Sequence, residues 1–252
     1  MKITVIPKDK SREIFLKLHP PYLAKDLKPD WWKKLKPGSQ KDSWILQHVR
    51  PKDWYNYDGF TAKRCPAIQD TLSTGLILPL WTKMFIGQEY NEDGTPNWTH
   101  SATTGDQIIG KTFVTTHMPF AFKGMDIGAT AQGDILKIEM PYKIIVPEGY
   151  DIMYSDPFYH FRNDVRCLTG IVEADKWGYV SFPFSILNYE CTVEPGTPFI
   201  HALIYKREDE KLELECRMGT EEEYEQNLLE QRDFMIKERD YRSFRDETWS
   251  YW

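Results

Sequence analysis

The residues that decide the fold read Gly170-Ile-Val-Glu-Ala-Asp-Lys-Trp-Gly-Tyr-Val-Ser-Phe-Pro-Phe-Ser-Ile-Leu-Asn188. A glycine, two β-branched residues and an acid come first, followed by a turn with a second acid, another glycine and an alternating segment. Alternation of apolar and polar residues is typical of a half-buried strand, and Gly and Asp favour tight turns. The pattern therefore predicts a β-hairpin that presents the carboxylates of Glu173 and Asp175.

The sequence on either side of this hairpin also indicates a β-rich body. A turn that leads into another strand follows in Val193-Glu-Pro-Gly-Thr-Pro-Phe-Ile-His-Ala-Leu-Ile-Tyr-Lys-Arg207. From Trp98 to Lys206, short apolar segments alternate with Gly and Pro, as in a sandwich or barrel. Upstream, Leu76–Ile86 reads as one strand with Pro79 at an edge or a bulge. We therefore predict a mainly β fold.

Three motifs lie between Tyr142 and Arg207. They are Ile144-Ile-Val-Pro-Glu-Gly149, Gly170-Ile-Val-Glu-Ala-Asp-Lys-Trp-Gly178 and Pro195-Gly-Thr-Pro-Phe-Ile-His-Ala-Leu-Ile204, with Asn188 between the last two. In this order they resemble the strand before the phosphate-binding motif, the uridine-binding hairpin with its later asparagine, and the last strand of the dUTP pyrophosphatase and dCTP deaminase superfamily. The resemblance implies a β-clip fold, a dUTPase-like barrel or sandwich.

The resemblance also implies roles for individual side chains. Glu173 falls where the family has the aspartate that activates water, and Asp175 would support the turn. Lys176 falls at the position of the base-stacking tyrosine, and His201 at the position of the glutamine in the last strand. Glu173 and Asp175 are thus the candidate catalytic residues, and Lys176 and His201 are candidate substrate-binding residues.

The phosphate-binding motif of that family would fall near Pro157-Phe-Tyr159, where this chain has neither arginine nor serine. Arg162 or Arg166, a few residues later, would have to supply the positive charge for a phosphate. The glycine-rich C-terminal arm of the family is replaced by a charged segment. Because both motifs are missing, the sequence favours a non-enzymatic use of the fold over hydrolysis of dUTP.

Two of the histidines could also take part in a metal site. His160 and His201 lie on or beside predicted strands, and with Glu173 they could form a two-histidine, one-carboxylate iron site of the cupin-type oxygenase kind. The sequence contains no HxH or HxD pair, which disfavours this alternative. No motif specifies a cofactor.

Composition and charge exclude several classes of protein. A hydrophobic content of 41% with 28% charged residues is that of a folded globular protein. The net charge of −6 argues against general nucleic-acid binding, which needs a basic face. The aromatic share of 14% suits strand-rich packing, and aromatic surfaces also bind sugars or proteins. Since no apolar run approaches the length of a membrane span, we expect no membrane association and a cytoplasmic location, in the host cell if the protein is viral.

The chain is predicted to have three regions. Residues 1–58 form an N-terminal strand and an irregular arm rich in Pro and Trp, residues 59–207 form the β-rich core, and residues 208–252 form a C-terminal helix and an aromatic tail. Thr220-Glu-Glu-Glu223 has the form of a capping box and predicts a helix over Glu221–Arg239. The aromatic residues of both ends need burial, on the body or on a second subunit.

Three functions are therefore open. We favour a non-enzymatic, oligomeric assembly or binding protein of phage or bacterial origin, because the phosphate-binding and arm motifs are missing. The whole chain also resembles uncharacterised proteins of similar length in phage and bacterial genomes, which implies no activity. The alternatives are a divergent nucleotide-pool enzyme related to dUTPase and dCTP deaminase, and a metal-dependent cupin-type oxygenase. We expect a homo-oligomer and favour a trimer, since the resembled family builds its sites between three subunits.

Overall fold

A computed structural model describes residues 1–36, 62–122, 124–125, 135–188, 190–207 and 214–230. The chain divides into two compact units, Met1–Arg207 and Glu208–Trp252. Strands dominate the first unit, and a helix lies in the described part of the second. The prediction of a mainly β fold with a C-terminal helix is confirmed.

The elements of the first unit are short. The strands are β1 (Thr4–Pro7), β2 (Tyr22–Leu23), β3 (Leu76–Pro79), β4 (Met84–Tyr90), β5 (Pro96–Ser101), β6 (Val114–Thr116), β7 (Leu136–Glu139), β8 (Tyr142–Ile145), β9 (Tyr150–Ser155), β10 (Val165–Cys167), β11 (Gly170–Val172), β12 (Ser181–Ile186), β13 (Cys191–Val193) and β14 (Pro198–Lys206). The α-helices are α1 (Glu13–Leu18), α2 (Asp30–Lys34), α3 (Pro66–Ser73) and α4 (Thr103–Ile109). Four 3-10 turns, Lys10–Arg12, Ala24–Asp26, Ala62–Arg64 and Pro119–Phe122, connect them within the described ranges.

Within the described ranges, the strands form four sheets whose pairings are all antiparallel. The largest has the order β11-β9-β14-β3-β2, and a four-stranded sheet has the order β10-β12-β7-β6. A three-stranded sheet, β13-β4-β5, and the pair β1-β8 complete the set. The prediction of a β-hairpin is wrong: β11 pairs with β9 whereas β12 pairs with β7 and β10, so the two strands belong to different sheets.

The hydrophobic core lies between these sheets. Leu78, Met84, Ile138, Phe184 and Phe199 come from different strands and are all fully buried in one cluster. Each such side chain contributes about 1.5–3 kcal/mol through removal from water. The short run Leu-Ile-Leu-Pro of β3 is buried along its whole length, which explains its continuous apolar sequence.

The N-terminal residues are part of the body. β1 pairs with β8, with Val5 opposite Ile144, and β2 pairs with β3 at the edge of the largest sheet. The described part of the predicted arm therefore supplies edge strands, and residues 37–58 of that prediction lie outside the described residues.

Two further predictions of secondary structure are wrong. The single strand over Leu76–Ile86 is two strands, β3 and β4, because after Pro79 the amide of Leu80 turns to the carbonyl of Thr197. The all-strand interpretation of the region from Trp98 to Lys206 overlooked helix α4. Its Gly105 amide donates to buried Thr82. Tertiary contacts thus overrode local propensity.

The described part of the second unit is a helix, α5, over residues 221–230. The amide of Thr220 donates to Glu223 Oε2 at 2.8 Å, and the amide of Glu223 donates to Thr220 Oγ1 at 3.3 Å. These reciprocal bonds confirm the predicted capping box. Residues 231–239 of the predicted helix and the aromatic tail lie outside the described residues.

Candidate functional site

The ladder between β9 and β14 separates the predicted site residues into two groups. His201 is opposite Ser155 at one end, and Lys206 is opposite Tyr150 at the other. Five residues of antiparallel strand rise about 17 Å. The hairpin acids lie at the Tyr150 end and the histidines at the Ser155 end, so the chain does not bring them into one site.

The first group, the acid cluster, consists of Asp151, Glu173, Asp175 and Arg207. Arg207 donates through Nε to Asp151 Oδ1 at 2.8 Å and through Nη2 to Asp175 Oδ1 at 2.7 Å. Asp175 Oδ2 accepts the amide of Gly149 at 2.9 Å, and the Arg207 amide donates to the Gly149 carbonyl at 2.7 Å. These bonds attach the turn after β11 to both strands of the β9–β14 ladder at its Tyr150 end.

The electrostatics of the acid cluster favour the charged form of each partner. The hydrogen bond from Arg207, with the amide of Gly149, lowers the pKa of Asp175 to about 2. Hydrogen bonds to Asp151 and Asp175 raise the pKa of Arg207. A general base works best when its pKa lies near the operating pH. Asp175 is therefore held as an acceptor for Arg207 and not poised to take a proton from water.

Glu173 and Lys176 lie on the outer side of the same turn. Lys176 Nζ is 2.5 Å from Glu173 Oε2, and Arg207 Nη2 is 3.8 Å from that oxygen. The hydrogen bond to Glu173 raises the pKa of Lys176. The amides of Lys176 and Trp177 both donate to the Glu173 carbonyl, which forms a single helical turn. The predicted water-activating and base-stacking residues are thus paired with each other.

At the opposite end, His201 is enclosed by protein. His201 is 1% exposed, and the centroid of its ring lies 4.8 Å from that of the Phe158 ring. The ring Nε2 lies 2.7 Å from the Thr74 carbonyl oxygen, which can only accept, so Nε2 carries the proton. Nδ1 is then an acceptor, and it has no hydrogen-bond partner. Burial lowers the pKa of His201.

His160 lies close enough to His201 for the charge of His201 to affect the pKa of His160. Burial lowers the pKa of His160, and the positive charges of His201 and Arg162 lower it further. Across the described ranges, no group of three His, Cys, Asp or Glu residues could hold a metal ion. The structure thus brings His160 and His201 together but leaves Glu173 at the other end of the ladder.

The two candidate phosphate-binding arginines differ in their surroundings. Arg162 forms a two-pronged ion pair with Asp164, at 2.9 and 3.0 Å, and donates through Nη1 to the Pro198 carbonyl at 3.0 Å. Its side chain is therefore turned inward. Arg166, on β10, is exposed. Asp156 accepts the Cys167 amide at 3.1 Å. Burial raises the pKa of Asp156, although the positive charges of Arg162 and Arg166 act to lower it.

Sequence reasoning missed a group of rings that we call the aromatic platform, defined as Trp31, Tyr159 and Phe161. Trp31 Nε1 donates to the Tyr159 carbonyl at 2.7 Å. The three ring centroids are 6.1–6.3 Å apart. A sequence signal existed in the run Phe158-Tyr-His-Phe161 after Pro157, because a run without alternation does not suit a strand.

A scan of the chain against models of known protein families and a search of curated proteins both find no match. In the described part of the chain, no helix has the length and apolar character needed to cross a membrane.

Proposed function

We propose that this chain is a non-enzymatic, oligomeric assembly or binding protein of phage or bacterial origin on a dUTPase-like, β-clip body. The observation that carries the proposal is the pairing of Glu173 with Lys176 at 2.5 Å. In a hydrolytic site the Glu173 carboxylate would activate a water molecule. Here it is paired with an ammonium group, while Asp175 holds the turn through Arg207.

The other candidate groups support the same interpretation. Glu173 is paired with Lys176, and Arg162 is paired with Asp164, so the side chains suited to water activation and phosphate binding already have partners. The histidines lie at the far end of the β9–β14 ladder. Arg162, which donates to the Pro198 carbonyl, also lies at that end, so in the described part of a single chain Glu173 and Arg162 do not face one substrate.

Exposed apolar side chains support a role in assembly. Ile171 on edge strand β11, Trp177 in the turn and Tyr179 after it are exposed, Trp177 to 69%. An edge strand has unpaired backbone groups on its outer side, and exposed apolar surface favours association. We propose a homo-oligomer, with a trimer favoured by the family resemblance.

Two measurements on the full chain test this proposal. Light scattering across micromolar concentrations should give a mass that is a multiple of the chain mass. Incubation with dUTP, dCTP and their diphosphates, with and without Mg²⁺, should give neither hydrolysis nor deamination. A monomer at all concentrations would contradict the assembly role. Turnover that Glu173→Gln lowers by roughly 10²–10⁴-fold would contradict the non-enzymatic role.

A further inference from the structure

The aromatic platform is built in advance and left open to solvent. Trp31 packs at 5.6 Å against the ring of Trp32, which is buried in the body. The hydrogen bond from Trp31 to the Tyr159 carbonyl joins helix α2 to the loop after β9. The ring of Phe161 lies beside the rings of Trp31 and Tyr159, and the residue is 77% exposed.

The backbone of this loop is strained. Tyr159 has φ 61° and Phe161 has φ 42°, and within the described ranges these are the only non-glycine residues with positive φ. Such a conformation costs roughly 1–2 kcal/mol per residue. Burial offsets little of this conformational cost at Phe161, because the residue is 77% exposed. A strained, exposed aromatic ring is therefore better explained by contact with a ligand than by folding.

The polar groups around the platform define the chemistry of that ligand. Asp30 and Lys33 lie on α2 with Trp31, are exposed, and form an ion pair of 3.2 Å. Both contribute to the electrostatic surroundings of His160, which is between the two loop rings in sequence. The pair offers a carboxylate acceptor and an ammonium donor with no net charge. The charge of Arg162 is likewise balanced by Asp164, so neither ion pair provides an unbalanced charge for a cation or a phosphate chain.

We propose that the aromatic platform binds a neutral saccharide. The C–H face of a sugar ring is apolar and packs on aromatic rings, while its hydroxyl groups both donate and accept hydrogen bonds. The rings of Phe161 and Trp31 would cover the C–H face, and Asp30 and Lys33 would contact the hydroxyls. This inference names a ligand class for the binding role proposed above and rests on that role.

The experiment is calorimetric titration of the full chain with cellohexaose, maltohexaose and chitohexaose. We expect at least one of these to bind. Phe161→Ala and Trp31→Ala should each weaken binding at least about tenfold, a loss of about 1.4 kcal/mol. Tyr90→Ala is the matched control, since Tyr90 on β4 is a comparably exposed ring outside both the platform and the proposed assembly surface, and it should leave binding unchanged.

A second comparison separates ligand binding from a structural role of Phe161. Phe161→Ala keeps the Cβ that disfavours positive φ, whereas Phe161→Gly removes it. If the ring is there for a ligand, Phe161→Gly should abolish binding and melt at a higher temperature than Phe161→Ala, and no lower than the wild type. A large fall in melting temperature in both variants would show that the ring is structural and would overturn the inference.

Three further outcomes would overturn it. They are no binding of any of the three oligosaccharides, binding that Tyr90→Ala abolishes and Phe161→Ala does not, and binding of single-stranded oligothymidylate through Phe161 in place of saccharide. Light scattering on the same samples distinguishes the two proposals. An oligomer that binds no saccharide refutes only the ligand class, whereas a monomer that binds saccharide refutes only the assembly role.

Discussion

Arg207 donates to the carboxylate of Asp175 across 2.7 Å although the two residues are 32 positions apart in the chain. The bond joins the turn after β11 to the residue that follows β14. A carboxylate that resembles a catalytic group in sequence is thus a structural ligand of an arginine. The same arginine also holds Asp151 of β9.

Removal of this arginine should destabilise the first unit. Arg207→Ala leaves the carboxylates of Asp151 and Asp175 close together without a counter-charge, and unpaired charges in partly buried positions are costly. We expect a clearly lower melting temperature for Arg207→Ala and a smaller fall for Arg207→Lys. Lys176→Ala is the control, since the Lys176–Glu173 pair is exposed. Equal effects at positions 207 and 176 would contradict the prediction.

The acid cluster should also set the acid limit of stability. The folded pKa of Asp175, about 2, lies below the ordinary value of 3.8. The unfolded chain therefore binds the proton first, and the stability due to this group is present above pH 3.8 and lost as the pH falls towards 2. Urea unfolding between pH 2 and 5 should show this loss in the wild type. Asp175→Asn should remove that part of the pH dependence; an unchanged pH profile would refute the assignment.

His201 should contribute to the pH dependence of folding stability in a different pH range. Its folded pKa lies below the ordinary value of 6.5, so the unfolded chain takes up a proton first as the pH falls. Stability should therefore be full above pH 6.5 and should decline below it, until the folded pKa is reached. The measurement is urea unfolding between pH 5 and 8 for the wild type and His201→Leu. A decline of the same size in both proteins would show that another group is responsible.

Gly75 should be sensitive to the addition of a single methyl group. Its φ is +88°, and a Cβ there would meet the carbonyl oxygen of Ala202 on β14. Gly94 has φ +79° with open space around the position of a Cβ. Gly94→Ala should therefore cost only the backbone strain, roughly 1–2 kcal/mol, and Gly75→Ala distinctly more. Chemical unfolding of both variants checks the difference, and equal costs would exclude a clash.

The capping box of Thr220 and Glu223 should stabilise helix α5 of the second unit. Thr220→Ala removes the acceptor for the Glu223 amide and should cost about 1 kcal/mol of helix stability. Thr220→Ser keeps the hydroxyl and should retain most of it. Far-ultraviolet circular dichroism and hydrogen exchange over residues 221–230 report the change. If the Ala and Ser variants are equally helical, the helix is not capped by residue 220.

The sequence by itself determined the features that depend on neighbours along the chain. The capping box of Thr220 and Glu223 follows from contacts within a few residues. The mainly β character followed from short alternating segments. The single strand over Leu76–Ile86 and the missed helix α4 show the limit of this reasoning, because in both places a distant segment supplied the hydrogen-bond partner.

Only the tertiary structure decided which side chains meet. The Arg207–Asp175 pair, the His201–Thr74 contact and the Trp31–Tyr159 bond join residues 32, 127 and 128 positions apart. An alternating pattern fixes which face of a strand is buried, but it does not encode the order of strands in a sheet. That order placed β14 between β9 and β3, and the register of β14 on β9 put the hairpin acids and the histidines at opposite ends of one ladder about 17 Å long.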